Sequence, residues 1–514
     1  MFKKPTSLPD LLTNIYFLTI VGLLSLLSAC GGGGGGGTTP PPPEPPPAPT
    51  TPTPTTPTAL SNPIETAIEV GSITLAANQF VRAPESSDTV SDPITNDAYA
   101  RIQYIHPAPD DTGRLFIQDV RGIVYVTDLE ARAPTLYVDL RTEEVAFYPD
   151  RFPNESGFLG FTFHPQFAEE DSPGYGKFYT GFSARADSGE ADFIEDGSSV
   201  QESVIYEWTA TDSSADVFEG SRREMLRVGQ FASNHNIATL AFNPNAEEDS
   251  PEFGMLYVAI GDGGSAHDPG NHGQNKQTPL GALLRIDPLG GTEGETKYGI
   301  PSDNPFVDDE EAIPELWAYG LRHPQHFSWD SDGRMFLLDI GQDEIEEVNI
   351  GVAGGNFGWR IREGTFATGH GVTTSDALGS VYERPEDTID VIYPVAQYDH
   401  DEGFAIGSGY VYRGSKIPEL VGKYVFTEMV RGRIFYIDTD NLIPGEPTTI
   451  YEIALNVDGT GSSLVEVAGF SDTYLAHSPH LRRVDARLSV DNAGELYLLT
   501  KGDGWIRTLA PLTE

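Results

Sequence analysis

Five stretches of this chain concentrate residue types that do chemistry. "FPNESGFLGFTFHPQF" carries Glu155 and His164, and "SNHNIATLAFNP" carries His235 between two asparagines. "AIGDGGSAHDPGNHGQN" places Asp262 at a strand end before two glycines, and "WAYGLRHPQHFSWD" supplies Arg322, His323 and His326. "LLDIGQDEIEEVNIGVAGGNFGWR" gives Gly341 and Gln342, followed by Glu344, Glu346 and Glu347. An imidazole backed by a carboxylate can take a proton, and an arginine can hold an anion. Oxygen-rich turns with carboxylates suit a hard cation. Each stretch also has a structural reading: His-Pro and Asp-Gly-Gly are ordinary turn compositions, and a run of glutamates can be a solvated face. On residue types alone the site is polar and its reaction stays open.

Several chemistries find no support. The chain has no G-x-S-x-G, no H-E-x-x-H, and no G-x-G-x-x-G between a strand and a helix, so serine-hydrolase, zincin and Rossmann dinucleotide readings have no footing. Its single cysteine, Cys30, excludes a disulfide within the chain and a cysteine-based metal site. With 32 basic and 77 acidic residues and a formal charge of −45, nucleic acid is not a partner, because phosphate repels an acidic surface.

The elements that must position these loops show a repeat. Glycine, any residue, then a hydrophobic or aromatic pair recurs as "GRLFIQD", "GKFYTGF", "GMLYVAIGD", "GRMFLLDIG", "GKYVFTE" and "GELYLLT". Each is followed by a second strand-like run, such as "GIVYVTDL" or "RIFYIDT", and the glycines are 63, 78, 79, 89 and 72 residues apart. Six copies of strand, loop, strand predict an all-β fold, a six-bladed β-propeller over residues 96–514, with a β-sandwich as the alternative. In a propeller the loops at one channel mouth converge, which brings distant stretches into one site.

The N-terminus reads separately. Lys3 and Lys4 precede the apolar run "IYFLTIVGLLSLLSAC", which is short for a membrane span and suits a signal-peptide core. Its end, Leu27-Ser28-Ala29-Cys30, resembles the bacterial lipoprotein signal, implying removal of residues 1–29 and lipidation of Cys30. Seven glycines and a Pro/Thr-rich run then form a flexible tether over 30–60. At about 3.1 Å per residue the Pro/Thr part reaches roughly 65 Å. Residues 61–95 read as an extension ahead of the propeller. The expectation is an extracytoplasmic domain, attached to a membrane only through its lipid.

Taken together, the motifs "GFLGFTFHPQF", "SNHNIATLAFNP…LYVAIGDGG", "PLGALLRIDP", "YGIPSDNPF", "YGLRHPQHFSWD", "DIGQDEIEEVN…GGNFGW" and "GYVYRGSKIPELVGKYVF" resemble the soluble quinoprotein sugar dehydrogenases. These are also called glucose/sorbosone dehydrogenases. The "GQDEIEEVN…GGNFGW" version is similar to the branch that includes hedgehog-interacting-protein-like propellers. The resemblance implies a six-bladed propeller binding pyrroloquinoline quinone (PQQ) and Ca²⁺. It further implies oxidation of an aldose or sugar alcohol, with electrons passed to an unidentified acceptor. It makes His235 the general base and Asp262 its orienting partner, and it places Glu155 and Arg322 at the cofactor. For calcium it points to Gly341, Gln342, Glu346 and Glu347. Two positions depart from the family: His323 stands where asparagine is common, and Val430 where one branch has a cofactor-binding lysine, with Arg431 next to it as a substitute. Arg482, Arg483 and Arg487 loosely represent an expected arginine pair. A non-catalytic binding propeller that keeps only the calcium turn is the competing reading, and a metal-dependent sugar-lactone hydrolase a third.

Overall fold

A computed structural model describes residues 57–87, 98–149, 155–194, 199–291, 296–372, 378–384, 389–469 and 483–512. The signal sequence, Cys30, most of the tether and Arg482 lie outside the described residues. Residues 56–514 form one compact unit.

The repeat read from sequence is a repeat of strand pairs. Arg114–Asp119, Lys177–Arg185, Leu256–Ile260, Met335–Asp339, Lys423–Glu428 and Leu496–Thr500 contain the six glycine-led runs. Each pairs antiparallel with the strand that follows it, for example Met335–Asp339 with Ile345–Ile350. The glycine ahead of each run takes a positive φ, from 68° at Gly176 to 88° at Gly333. That left-handed turn is open to glycine at little steric cost, so the glycine marks where each second strand begins.

The strands assemble into meandering sheets. Four are four-stranded, beginning with Ile102–Pro107, Phe158–Phe163, Ile237–Phe242 and Pro324–Trp329. An eight-stranded sheet takes in strands beginning at Ile406–Val411 and Ala486–Val490. The first strands of successive groups are neighbours in order, and Ala486–Val490 returns to neighbour Ile102–Pro107. This closed cycle is propeller-like and leaves those strands around a central channel. Between sheets the core is aromatic: Phe116 meets Phe163 edge to face with ring centres 4.8 Å apart, and Phe336 stacks on Tyr424 at 4.4 Å.

The boundary at residue 95 is corrected by the sheet pairing. Within 61–95, Glu69–Arg82 is a strand that pairs antiparallel with Trp505–Pro511, with Leu75 opposite Pro511 and Arg82 opposite Trp505. It also runs parallel to Tyr451–Val457. This segment alternates buried Ile73, Leu75 and Ala77 with more exposed neighbours, the period-two pattern of a half-buried strand. It therefore belongs to the domain, where it fills a sheet position that the C-terminal end alone leaves open.

Innermost strands share a second feature. In five of the six, pairing with the next strand shifts register near the strand start, as between Ile237 and Leu240 or between Pro324 and His326. Bulges of this kind bend a strand and re-aim its side chains. Here they sit just after the loops that carry His235, Arg322 and Ala405.

Candidate functional site

His235 occupies the loop entering the strand Ile237–Phe242, with φ 53°. A left-handed conformation is uncommon for a non-glycine residue and is held by its surroundings. The flanking asparagines supply the hold on the backbone. Asn234 Oδ1 accepts the Ser265 N–H at 3.1 Å, and Asn236 Nδ2 donates to the Glu155 and Ser233 carbonyls at 2.7 and 3.2 Å. The His235 N–H itself donates to Glu155 Oε2 at 2.8 Å. Fixing the imidazole falls to Asp262, whose Oδ1 lies 2.6 Å from His235 Nδ1. Asp262 is fully buried and is itself held by Trp359 Nε1 at 2.8 Å and the Gly264 N–H at 3.0 Å. A carboxylate only accepts, so the neutral imidazole carries its proton on Nδ1 and keeps the lone pair on Nε2.

His323 stacks beside His235 with ring centres 4.9 Å apart. Burial, followed by the neighbouring His235 and Arg322, pushes its pKa well below the ordinary value. Its tautomer is set by Gln325: Arg487 Nη2 donates to Gln325 Oε1 at 3.1 Å, so Gln325 Nε2 donates to His323 Nε2 at 3.0 Å. His323 therefore presents Nδ1–H. Glu155, His235 and His323 place ligand-type atoms within 4.8 Å of one another. A metal there would need the Nδ1 lone pair of His323, and freeing it would set two donors against each other at Gln325.

These groups open on a cavity of about 290 Å³. Glu155, His235, Arg322, Gly341 and Gln342 all line it. Arg483, Arg487 and Lys501 add positive charge from the last sheet. Burial disfavours the Arg487 charge and lowers its pKa, and its Nε is buried without a hydrogen-bond partner. Burial also works against the Asp485 carboxylate, but Arg483, Lys501 and Arg101 outweigh it and hold its pKa well below the usual range. Arg322 donates to the Ile340 carbonyl at 3.0 Å and to Gln342 Oε1 at 3.3 Å, with its guanidinium 5.7 Å from the Trp359 ring centre.

Three expected residues do not meet there. Arg431 lies over the Phe404 ring at 4.7 Å, and its N–H donates to Glu428 at 2.7 Å. The side chain lining the cavity at this point is Val430, and an ammonium comes instead from Lys501. Glu346 and Glu347 are successive strand residues and so point to opposite faces. Glu346 is fully buried and accepts from His400 Nε2 at 3.0 Å and the Ile406 N–H at 2.8 Å. Glu347 accepts from Asn349 at 2.9 Å and from the Gly364 N–H. Neither lines the cavity with Gly341 and Gln342.

Sequence reasoning missed the group that shapes that turn. Glu363 Oε1 accepts four consecutive N–H groups, from Gln342, Asp343, Glu344 and Ile345, at 2.9, 3.1, 2.9 and 3.0 Å. With its N–H groups committed to one oxygen, the turn has carbonyl oxygens left for a hard cation. Lys501 was also missed; it sits in an ordinary Thr-Lys-Gly turn, and only the ring closure brings it to the cavity.

Glu347 faces Asp339 across the sheet. Burial first, and the facing Asp339 second, push Glu347 up to about 8. Burial likewise raises Asp339, Glu346 and Glu428. A carboxyl with a raised folded-state pKa stabilises the fold fully below its unfolded value of 4.5 and loses that contribution as pH rises through about 8. The Glu347 contribution to conformational stability is therefore expected to fall between roughly pH 5 and pH 8, by up to ~1.4 kcal/mol per pH unit for its retained proton, while the buried neutral histidines act in the opposite direction at the acid end of that range. Glu347→Gln should flatten this fall in denaturant titrations; an unchanged pH profile would mean the pair retains no proton.

Residues 104–457 match the family model for glucose/sorbosone dehydrogenase. The HIPL1 protein of Arabidopsis thaliana is 30% identical over 375 residues, covering 63% of this chain and 50% of its own length. The human Hedgehog-interacting protein is 24% identical over 331 residues, covering 62% of this chain and 39% of its own. The chain thus spans about half or less of the length of these curated relatives. The PQQ-bound aldose sugar dehydrogenase of Streptomyces coelicolor superposes with a TM-score of 0.54 at 18% identity, over 86% of this chain and 99% of that one; it shares the fold. With the family model matched over more than half its residues, this chain belongs to the glucose/sorbosone dehydrogenase family.

Proposed function

We propose that the domain is a six-bladed propeller that oxidises an aldose or related sugar alcohol with PQQ and Ca²⁺. The observation carrying this reading is the pairing of His235, its Nε2 lone pair left free by Asp262, with a cavity walled by Arg322, Arg483, Arg487 and Lys501. The donor set fits a tricarboxylate quinone: the buried Arg487 lacks an acceptor at Nε, and the wall is cationic in a chain of net charge −45. The Glu363-held turn at Gly341 and Gln342 fits an oxygen-preferring cation. Bound there, the quinone supplies a two-electron acceptor and calcium supplies Lewis-acid polarisation. The protein's part is proton handling and positioning. His235 Nε2 takes the hydroxyl proton of the sugar, and Asp262 stabilises the imidazolium that forms. Arg322 offers a fixed cation to developing negative charge. His323, neutral through burial, offers Nδ1–H as a donor without repelling the charged His235.

Titrating PQQ and Ca²⁺ into the cofactor-free protein tests this. Saturable quinone uptake by absorbance, followed by dye reduction that needs an aldose, is the expected result. A second reading, a non-catalytic glycan- or protein-binding propeller, is favoured by the uncharged Val430 and by Arg431 lying away from the cavity. It requires calcium uptake without quinone uptake. We place the domain outside the cytoplasm on a lipid carried by Cys30; Cys30→Ser is expected to move the protein from the membrane fraction to the soluble one, and unchanged fractionation would remove the anchor.

A further inference from the structure

The innermost strands that bring the catalytic loops to one mouth end in aromatic residues at the other. Residues lining the first cavity lie at or before the starts of these strands, as His235, Arg322 and Asp485 do, or just after the antiparallel second strands, as Gly341, Val430 and Lys501 do. Phe242, Trp329, Tyr410 and Val490 lie instead at or near the far ends of the innermost strands. Six residues of strand separate the two mouths by about 20 Å. At the second mouth is a cavity of about 210 Å³ walled by the rings of Tyr104, His106, Phe161, Phe242, Trp329 and Tyr410.

Its polarity is specific. None of the described residues lining it is an acid, a lysine or an arginine. Burial lowers His106 to about 4 and His326 to about 3, so both rings are uncharged at neutral pH. The Gly409 N–H donates to His326 Nδ1 at 3.4 Å, so His326 Nε2–H donates to the Tyr410 hydroxyl at 3.1 Å. Tyr410 keeps its own proton to give. Gln118 Nε2 donates to the Phe158 carbonyl at 3.1 Å, so its Oε1 accepts from His106 Nε2 at 3.0 Å and His106 Nδ1 is left as an acceptor.

We propose that this mouth is a second ligand site, for a neutral single-ring phenol. An apolar cavity of about 150 Å³ holds benzene, and the larger volume here accommodates one substituted ring. The Tyr410 donor and the His106 acceptor, on walls that are otherwise mostly aromatic and apolar, match a phenolic hydroxyl. A sugar would leave most of its hydroxyls unpaired against those walls. A carboxylate would lose its hydration with no cation among the lining residues.

The test is calorimetric titration of the full-length protein with p-cresol, against a detergent blank, with benzoate and glucose as comparison ligands. Saturable 1:1 binding of p-cresol is expected, at least ten-fold tighter than benzoate or glucose. Ala241→Phe, which fills the cavity, should abolish it. Tyr410→Phe, which keeps the ring and removes the donor, should weaken it about five-fold. His235→Asn should leave it unchanged. Absence of saturable binding, equal binding of benzoate, undiminished binding in Ala241→Phe, or loss of binding in His235→Asn would each overturn the assignment.

Discussion

His235→Asn is expected to lower sugar-dependent turnover of the quinone-loaded protein by ~10³-fold or more while leaving quinone uptake intact. Asparagine is the informative replacement because position 235 sits at φ 53°, a conformation asparagine adopts more readily than alanine. The backbone N–H donated to Glu155 is thereby kept, and only the imidazole is lost. Asp262→Asn should cost a similar factor by a different route. Its amide would donate to His235 Nδ1, driving the imidazole proton onto Nε2, where the lone pair is needed. In both variants kcat should fall with little change in KM, because neither residue contributes uniform binding. Turnover within ten-fold of wild type in both would remove His235 from proton transfer. It would then point to the neighbouring His323 or to Glu155.

What the sequence made legible follows from what its patterns constrain. The glycine-led runs marked the second and third strands of every group because a left-handed turn demands glycine and a buried strand demands apolar residues, both local requirements. His235, Asp262, Arg322, Gly341 and Gln342 were legible through motif order, and all but Asp262 line the cavity itself; Asp262 stands behind His235. The failures are non-local. The resemblance made Glu346 and Glu347 calcium ligands, but Glu346 is taken up by His400 and the Ile406 N–H, and Glu347 by the Gly364 N–H. Arg431 was read from adjacency to Val430, and its side chain turned to Phe404 instead. Glu69–Arg82 carried a clear alternating pattern, yet nothing local says that its partner is Trp505–Pro511, more than 400 residues away. Lys501 depends on that same closure.

Glu363→Ala is expected to destabilise the domain by ~3–5 kcal/mol and to weaken calcium binding at least ten-fold, with Glu363→Gln intermediate in both. Four N–H donors converge on one Glu363 oxygen, and the residue is only 5% exposed. Each bond to a charged acceptor is worth about 1.5–3 kcal/mol, and the four are not additive because they share one atom. Alanine leaves the donors facing a cavity too small to give each of them water. Glutamine restores an oxygen at the same place without its charge, so it tests geometry separately from electrostatics. The short sheet formed by Arg362–Glu363, Phe366–Thr368 and Val381–Tyr382 then has a definite purpose. The segment leading into it puts Trp359 on Asp262, and its first strand puts Glu363 on the Gly341 turn. One excursion between the strands Ile345–Ile350 and Ala396–Asp399 thus holds both the carboxylate behind His235 and the turn proposed for the cation. Calcium calorimetry on the cofactor-free variants reads the second effect without any turnover. If Glu363→Ala bound calcium as tightly as wild type, the turn would be rigid on its own and the excursion would serve the base alone.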